Sequence, residues 1–189
     1  DLCSSFIGLI ILLPLLIFIS LAIKLGSSGP ILFSQKRVGK DGKLFTLVKF
    51  RSMTVQQDSS STATARGDVR ITKIGAFLRK YKLDELPELW NVVMGEMSLV
   101  GPRPDVPGYA DSLKGGDRDM LKLRPGITGT ASLKYANEEE ILAAQEDPQK
   151  YNDEVIFPDK VKVNLEYYEN HSLWLDIKII FATIFRISY

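Results

Sequence analysis

Two adjacent carboxylates, Asp84 and Glu85, are the residues of this sequence best suited to chemistry. They precede Pro87 and an apolar repeat over residues 86–93, so the pattern predicts that they begin a helix. Acids in a first turn have an ordinary structural explanation, because aspartate caps helices and acids complement the helix dipole. The same position also attracts phosphate, keeps a carboxylate ionised for nucleophilic attack and lets two carboxylates share a divalent cation. The local pattern leaves both interpretations open.

Basic side chains near these carboxylates or on rigid loops are suited to bind phosphate oxygens. Arg79 lies just before Asp84, Arg103 lies between two prolines, and Arg124 precedes a Pro-Gly pair. Guanidinium groups on stiff loops suit bidentate phosphate recognition, although a single arginine is more often a surface or structural residue. The sequence contains no P-loop, no Rossmann glycine fingerprint and no HExxH motif. The commoner nucleotide-binding and zinc-hydrolase classes are therefore excluded.

An apolar segment opens the chain, with no charged side chain in residues 2–23. A helix of this length is sufficient to cross a hydrocarbon core of roughly 30 Å. Pro14 complicates this reading, because a proline inside a helix removes a backbone hydrogen bond. A break there leaves two short arms that could enter and leave through one leaflet. The residues alone leave a spanning helix and a re-entrant hairpin open. Lysines and arginines follow the segment closely, which favours a cytoplasmic location for the polar part.

The polar part has the pattern of a helix-rich α+β fold. Residues 31–35 and 44–50 have strand-like composition around a turn at 39–42, which predicts a β-hairpin. Apolar spacing predicts an amphipathic helix over residues 74–81 and a second helix from Asp84 to about Gly95. The remaining predicted segments are a polar loop at 56–67, a short strand at 97–100, and helices over 138–144 and from 160 onward.

Charge is divided unevenly along the chain. Basic residues outnumber acids in 24–83, and acids outnumber basic residues in 84–189. A basic region beside an apolar segment favours phosphorylated ligands or anionic lipid headgroups. Nucleic acid is not favoured, since few aromatic side chains interleave with these charges. The apolar ends and the acidic region 138–159 also allow a non-catalytic, membrane-tethered scaffold. The single cysteine, Cys3, excludes an internal disulfide, and the single histidine, His171, argues against zinc.

Four stretches of the sequence resemble the monotopic phosphoglycosyl transferases, the bacterial sugar-transferase family. Their order and spacing match the family over nearly the whole chain. The third is the most specific, because it joins the carboxylate pair to the Pro-Arg-Pro loop. The stretches are Phe33-Ser34-Gln35-Lys36-Arg37-Val38-Gly39, Lys49-Phe50-Arg51-Ser52-Met53, residues 83–104, and Arg124-Pro125-Gly126-Ile127-Thr128-Gly129.

The resemblance implies a two-step transfer of a sugar-1-phosphate from a UDP-sugar to a polyprenyl phosphate, typically undecaprenyl phosphate, with release of UMP. Asp84 would be the nucleophile that carries the phosphosugar, and Glu85 its partner. Both carboxylates would bind the required Mg²⁺. The product would enter bacterial polysaccharide or glycoprotein-glycan synthesis. By motif position, the basic residues around the substrate would be Lys49, Arg51, Arg79, Arg103 and Arg124.

The resemblance also implies a membrane arrangement. Residues 1–27 would form a re-entrant helix broken at Pro14 in one leaflet. Residues 28–189 would form a catalytic domain, continuous with that helix, with amphipathic interfacial helices around the active site. The expected location is the cytoplasmic face of the bacterial inner membrane, and a homo-oligomer is compatible with the sequence. Leu13 stands where many members have Ser or Thr, and residues 130–136 also depart from the family pattern, so the sugar is not assigned.

Overall fold

A computed structural model describes residues 1–54 and 70–187, so the predicted polar loop at 56–67 lies outside the described residues. Within them the chain has the predicted helix-rich α+β architecture with small sheets. The strands are β1 (Leu32–Val38), β2 (Leu44–Phe50), β3 (Ser98–Val100) and β4 (Gly126–Thr128). The first helices are α1 (Leu2–Gly26), α2 (Lys73–Lys80) and α3 (Glu88–Val93). The later ones are α4 (Thr130–Lys134), α5 (Glu138–Ala143), α6 (Pro148–Tyr151), α7 (Phe157–Asn170) and α8 (Leu173–Phe185).

The apolar start of the chain forms one helix, α1, that continues through Pro14. The predicted division into two helical arms is therefore not confirmed. By length and composition α1 could cross a bilayer, and most of its surface is not covered by protein. Its buried residues are Ser5 near the start and Ile19 and Ile23 toward the end. Near its start, the Ser98 hydroxyl donates to Asp1 Oδ2 over 2.8 Å.

The predicted β-hairpin is confirmed, with β1 and β2 antiparallel from Leu32 opposite Phe50 to Val38 opposite Leu44. A 3₁₀ turn over Lys40–Gly42 joins them, with Asp41 and Gly42 in the left-handed region at φ 58° and 76°. A glycine and an aspartate suit this turn, because both tolerate positive φ. The hairpin packs on α3, where Phe45 and Leu47 join Val92 in one core cluster.

The predicted helix over residues 74–81 is also confirmed, as α2. Thr72 caps it by accepting from the Gly75 N–H over 2.9 Å. The following helix differs from the prediction. The chain turns at Lys82, which has φ 54°, makes a 3₁₀ turn over Leu83–Glu85, and begins α3 only at Glu88. The left-handed Lys82 cannot continue a helix, so the segment that carries the carboxylates is a turn between two helices.

A parallel pair, β3 and β4, forms the second sheet, in which Ser98 lies opposite Gly126 and Val100 opposite Thr128. The strand predicted at 97–100 is thus confirmed. Between these strands the chain makes 3₁₀ turns over Ala110–Ser112 and Gly115–Lys122. The backbones cross so closely that a Cβ on Gly126 would lie 2.1 Å from the Gly101 nitrogen. The loop after β3 is therefore pressed against the loop before β4.

The C-terminal helices complete the packing. The helices predicted over 138–144 and from 160 onward are confirmed as α5, α7 and α8, and a π-helical turn over Asn152–Ile156 precedes α7. Ile179 of α8 is fully buried against Val100 and Tyr167. The hydroxyls of Thr128 and Thr183, 2.6 Å apart, tie α8 to β4. The outer side of α8 carries the exposed apolar residues Trp174, Phe181, Ile184 and Phe185.

Candidate active site

The turn that carries Asp84 and Glu85 is fixed in place by apolar packing. Leu83 and Leu86 pack on a core cluster formed by Ile19, Ile23, Phe50 and Leu78. These residues come from α1, β2 and α2, so three elements position the turn. Neither carboxylate caps α3, whose N-cap is Pro87 without a side-chain bond. The expectation that these acids cap α3 is therefore wrong. They lie instead in the first turn of the 3₁₀ segment, where a hydrogen bond from the Asp84 N–H acts to lower the pKa of Asp84 against the effect of burial.

Glu85 is buried at 8% exposure and is held by two cations. Arg103 Nη2 donates to its Oε1, and Lys49 Nζ donates to the same oxygen over 3.3 Å. Burial alone would raise the pKa of Glu85, but the charges of Arg103 and Lys49 outweigh it and hold the pKa well below its usual range. Glu85 is thus a fixed anion whose geometry is set from both sides.

Asp84 has a different environment. Its side chain is half-buried, and no other side chain among residues 1–54 and 70–187 forms an ion pair with it. Burial, followed by the charge of Glu85, raises the pKa of Asp84, while Lys49 and Arg79 act in the opposite direction. The two neighbours therefore divide into an anion already engaged by cations and a carboxylate that is open to a ligand.

Lys49 reaches the site from β2. Its ammonium lies between two acids, 3.3 Å from Glu85 Oε1 and 3.1 Å from Glu88 Oε1. The strand is fixed to α3 by Asn91, which accepts from the Val48 N–H over 3.1 Å and donates to the Thr46 carbonyl over 2.8 Å. Glu88 was missed as a site residue. Its spacing of three from Glu85 was the available signal, because such residues share a face of a helical turn.

Arg103 is held by its loop as well as by Glu85. Arg37 Nη1 donates to the Pro104 carbonyl over 3.1 Å, and the Val38 N–H donates to the Asp105 carbonyl over 2.9 Å. The loop after β3 is thereby attached to β1. The Arg103 side chain is 39% exposed, so one side of the guanidinium contacts Glu85 while another remains open. That arrangement is suited to an anionic ligand.

The remaining predicted basic residues lie in three different settings. Arg79, in the last turn of α2, pairs with Glu139 of α5 and lies close enough to Asp84 to lower its pKa. Arg51 is buried and donates to the Ser27 and Ser28 carbonyls at the end of α1, over 2.9 and 2.6 Å. Arg124 is exposed on the loop before β4. The described contacts of Arg51 are those of a structural anchor, and its role toward substrate stays a prediction.

The carboxylates can be tested against the expected cation. No group of three or more metal-binding side chains lies together within the described ranges. Glu85 is already paired with Arg103 and Lys49, whereas Asp84 is open. Such a donor set does not form an all-protein cage. It fits Mg²⁺, because this ion commonly binds one or two carboxylates together with substrate phosphates and keeps several waters.

The sequence of this chain is similar to those of several known proteins. A UDP-glucose:undecaprenyl-phosphate glucose-1-phosphate transferase of Klebsiella pneumoniae is 39% identical over 191 residues, 98% of this chain and 38% of that protein. A UDP-N-acetylgalactosamine-undecaprenyl-phosphate N-acetylgalactosaminephosphotransferase of Aeromonas hydrophila is 36% identical over 191 residues, 97% of this chain and 41% of that protein. The chain thus spans well under half the length of these two relatives.

A third relative is similar to this chain over most of its own length. The exopolysaccharide production protein PSS of Rhizobium leguminosarum bv. phaseoli is 38% identical over 192 residues, 97% of this chain and 90% of that protein. The chain also matches the bacterial sugar transferase family over residues 1–188. The match includes the helix α1 and the turn that carries Asp84 and Glu85. This chain belongs to the bacterial sugar transferase family.

Proposed function

We propose that the chain transfers a sugar-1-phosphate from a UDP-sugar to a polyprenyl phosphate, undecaprenyl phosphate in bacteria, and releases UMP. The arrangement of two carboxylates carries the proposal. Glu85 is fixed between Arg103 and Lys49, while its neighbour Asp84 is open. Phosphoryl transfer depends mainly on such positioning and on charge stabilisation of phosphate oxygens. The names of relatives that act on UDP-sugars and undecaprenyl phosphate support the choice of substrates.

In the first step, an Asp84 carboxylate oxygen attacks the β-phosphorus of the UDP-sugar. The bond from that phosphorus to the bridging oxygen breaks, and UMP leaves with this oxygen. The phosphosugar is then bound to Asp84 as an acyl phosphate. In the second step, a phosphate oxygen of the polyprenyl phosphate attacks the same phosphorus, and the Asp84 carboxylate is released. Arg103, Arg79 and Lys49 are suited to neutralise phosphate charge throughout.

Asp84 and Glu85 would hold Mg²⁺ together with the substrate diphosphate, where the ion would neutralise phosphate charge. Glu85 would then bind the cation and also pair with Arg103 and Lys49. In this proposal the protein supplies only part of the Mg²⁺ ligands, and the substrate diphosphate supplies others. Chelation of divalent cations is expected to stop UMP release, and added Mg²⁺ to restore it.

We further propose that α1 lies in one leaflet of the inner membrane, with the catalytic part on the cytoplasmic face. Both ends of α1 contact the same domain, through Asp1 with Ser98 and through Ile23 with the Phe50 and Leu78 cluster. A straight helix perpendicular to the membrane would instead place Asp1 about 37 Å across the bilayer from the end of α1, away from Ser98. Exposed apolar side chains on α2, α3 and α8 suit burial at the interface: Phe77, Tyr81, Trp90, Met94, Phe181 and Phe185.

The proposed role is the first membrane step of a bacterial glycoconjugate, and the name of the exopolysaccharide relative supports it. The direct test supplies purified protein, Mg²⁺ and undecaprenyl phosphate with a panel of UDP-sugars that includes UDP-glucose and UDP-N-acetylgalactosamine. UMP release that requires the lipid for continued turnover, together with a lipid-linked product, is the expected result. Folded protein that releases no UMP with any donor would reject the proposal in favour of a scaffold.

A further inference from the structure

Glu88 is a buried carboxylate that the proposed chemistry leaves without a role. It lies in the first turn of α3 and is 2% exposed. Its Oε1 is 3.1 Å from Lys49 Nζ, yet it accepts no hydrogen bond within the described ranges. The ammonium instead donates to Glu85, at 3.3 Å. Lys49 is therefore shared by two acids, with its hydrogen bond directed to only one of them.

Burial of this charge is a cost to the fold. A carboxylate removed from water is destabilising unless it is paired and hydrogen-bonded, and Glu88 has only the first of these. Burial also raises the pKa of Glu88, because the ionised carboxylate is less stable away from water. A side chain that weakens the fold at the edge of a reaction centre is a candidate for a functional task.

A purely structural role for Glu88 is already filled by another residue. Asn91, one turn further along α3, is 1% exposed and hydrogen-bonds the Val48 N–H and the Thr46 carbonyl of β2. A further hydrogen bond from Asn91 to Glu96 fixes the end of α3. The helix is thus attached to the hairpin without Glu88. What Glu88 adds is a second negative charge within 3.1 Å of the Lys49 ammonium.

We propose that Glu88 is a positioning residue, which holds the Lys49 ammonium beside Glu85 and thereby fixes the partner of the nucleophile Asp84. Lysine has a flexible four-carbon stem, so a single contact does not define where its charge lies. Two acids, at 3.3 and 3.1 Å, restrict the ammonium to the place where it contacts both. When an anionic diphosphate enters the site and attracts the ammonium, Glu88 keeps Lys49 beside Glu85. This inference rests on the proposed function, because it assigns Glu88 to that reaction.

A double-mutant cycle tests whether Glu88 acts through Lys49. The variants are Glu88→Ala, Glu88→Gln, Lys49→Met and the Glu88→Ala/Lys49→Met pair, measured by UMP release per folded molecule. We expect Glu88→Ala to lower kcat about tenfold with KM for the UDP-sugar changed less than about twofold. Glu88→Gln should lose nearly as much, because the amide keeps the shape of the side chain but lacks the charge that pairs with Lys49. In the Lys49→Met background, Glu88→Ala should change the residual kcat by less than about twofold.

The matched control is Asp119→Asn, which removes an exposed ion pair with Lys122 at 3.0 Å. It should leave kcat unchanged. Additive losses in the cycle, or a Glu88→Ala enzyme with wild-type kcat, would overturn the inference while the proposed function stands. Thermal unfolding of wild type, Glu88→Ala, Lys49→Met and the double variant measures the coupling between Glu88 and Lys49 independently of activity. Non-additive melting temperatures are expected even if no donor is found, and additive ones would overturn the contact itself.

Discussion

Asp84 and Glu85 are neighbours in the chain with opposite electrostatic surroundings. Burial and the adjacent anion raise the pKa of Asp84, whereas Arg103 and Lys49, against burial, lower the pKa of Glu85. Two acids whose environments move their pKa values apart are suited to different roles. Glu85 is committed to its cations, and Asp84 has the open oxygen that a nucleophile needs.

Replacement of the proposed nucleophile, Asp84, gives the sharpest prediction at this scale. Asp84→Asn should lower UMP release by at least about a thousandfold, because an amide cannot form the acyl phosphate. The same variant should melt at or above the wild-type temperature near neutral pH. The pKa of Asp84 is raised by folding, so its ionised form is less favoured in the folded state, and removal of the charge relieves this cost.

The two readouts of Asp84→Asn separate chemistry from folding. Circular dichroism melts and UMP assays on one preparation measure both, with Asp119→Asn as a control for the same change at an exposed site. Substantial activity in Asp84→Asn would reject Asp84 as the nucleophile. A marked fall in its melting temperature would contradict the environment described for its carboxylate.

Asp105 supplies a prediction for pH. Burial raises its pKa to about 6, although Lys160 and Arg37 act in the opposite direction. Glu138 adds to the rise, and Arg103 opposes it. A raised folded-state pKa means that the folded protein binds this proton more tightly than the unfolded chain does. Stability is therefore lost as pH rises through 6, and Asp105→Asn should avoid that loss.

The expected difference is pH-dependent. At pH 7.5, Asp105→Asn should unfold with a free energy higher than wild type by about 2 kcal/mol, with allowance for partial exposure. Below about pH 3 the two proteins should be equally stable, since Asp105 is protonated in both the folded and the unfolded state. Denaturant unfolding at both pH values measures this. A wild-type protein that is the more stable one at pH 7.5 would show that Asp105 is a paired, favourable anion.

At the scale of elements, local patterns predicted what depends on neighbouring residues. The hairpin, α2, β3 and α8 all follow from alternation, helical spacing and turn residues. The turn at Leu83–Glu85 was missed because it depends on the left-handed Lys82, which no composition signal marks. The carboxylate pair was predicted as a site, and the predicted residues Lys49 and Arg103 pair with Glu85. By contrast, Arg51 anchors the end of α1, and the sequence did not predict Glu88, which pairs with Lys49. Such long-range pairings are set by packing and not by local pattern.

One pairing between elements yields a prediction about substrate affinity. Arg79 of α2 is occupied by Glu139 in the first turn of α5, so a phosphate that binds Arg79 must replace this carboxylate. Exposed ion pairs are worth up to about 1 kcal/mol. Glu139→Gln should therefore lower KM for the UDP-sugar about two- to fivefold and leave kcat unchanged. Steady-state UMP release over a range of donor concentrations measures both constants.

The control for Glu139 is Glu146→Gln, which removes an exposed acid just beyond α5 and should leave KM as in wild type. It accounts for any general effect of net charge on an anionic substrate. An equal fall in KM for both variants would assign the effect to long-range charge. A rise in KM for Glu139→Gln would mean that Glu139 orients Arg79 for substrate instead of competing with it.

For the whole molecule, the decisive feature is that α1 is attached at both ends to one domain. Near its start, Gly8 approaches Leu89 of α3, and Asp1 accepts from Ser98. Near its end, Ile19 and Ile23 pack with Phe50 and Leu78. Among the elements that receive these contacts, β2 carries Lys49, while α2 and α3 flank the turn that carries Asp84. A helix in this position would hold the site at the membrane surface, where a lipid phosphate is presented.

A disulfide across the start of α1 tests that arrangement in membranes. In a Cys3→Ser background, Asp1→Cys and Ser98→Cys should form a cross-link on mild oxidation, because the native side-chain oxygens are 2.8 Å apart. Asp1→Cys paired with Ser112→Cys, in an exposed loop, is the matched control and should remain reduced. A spanning α1 predicts the reverse pattern for the first pair: no cross-link, and labelling of Asp1→Cys by an impermeant maleimide from the periplasm. A spanning α1 would place Asp1 about 37 Å across the bilayer from the end that leads into the domain, so only one of the two topologies can give the disulfide.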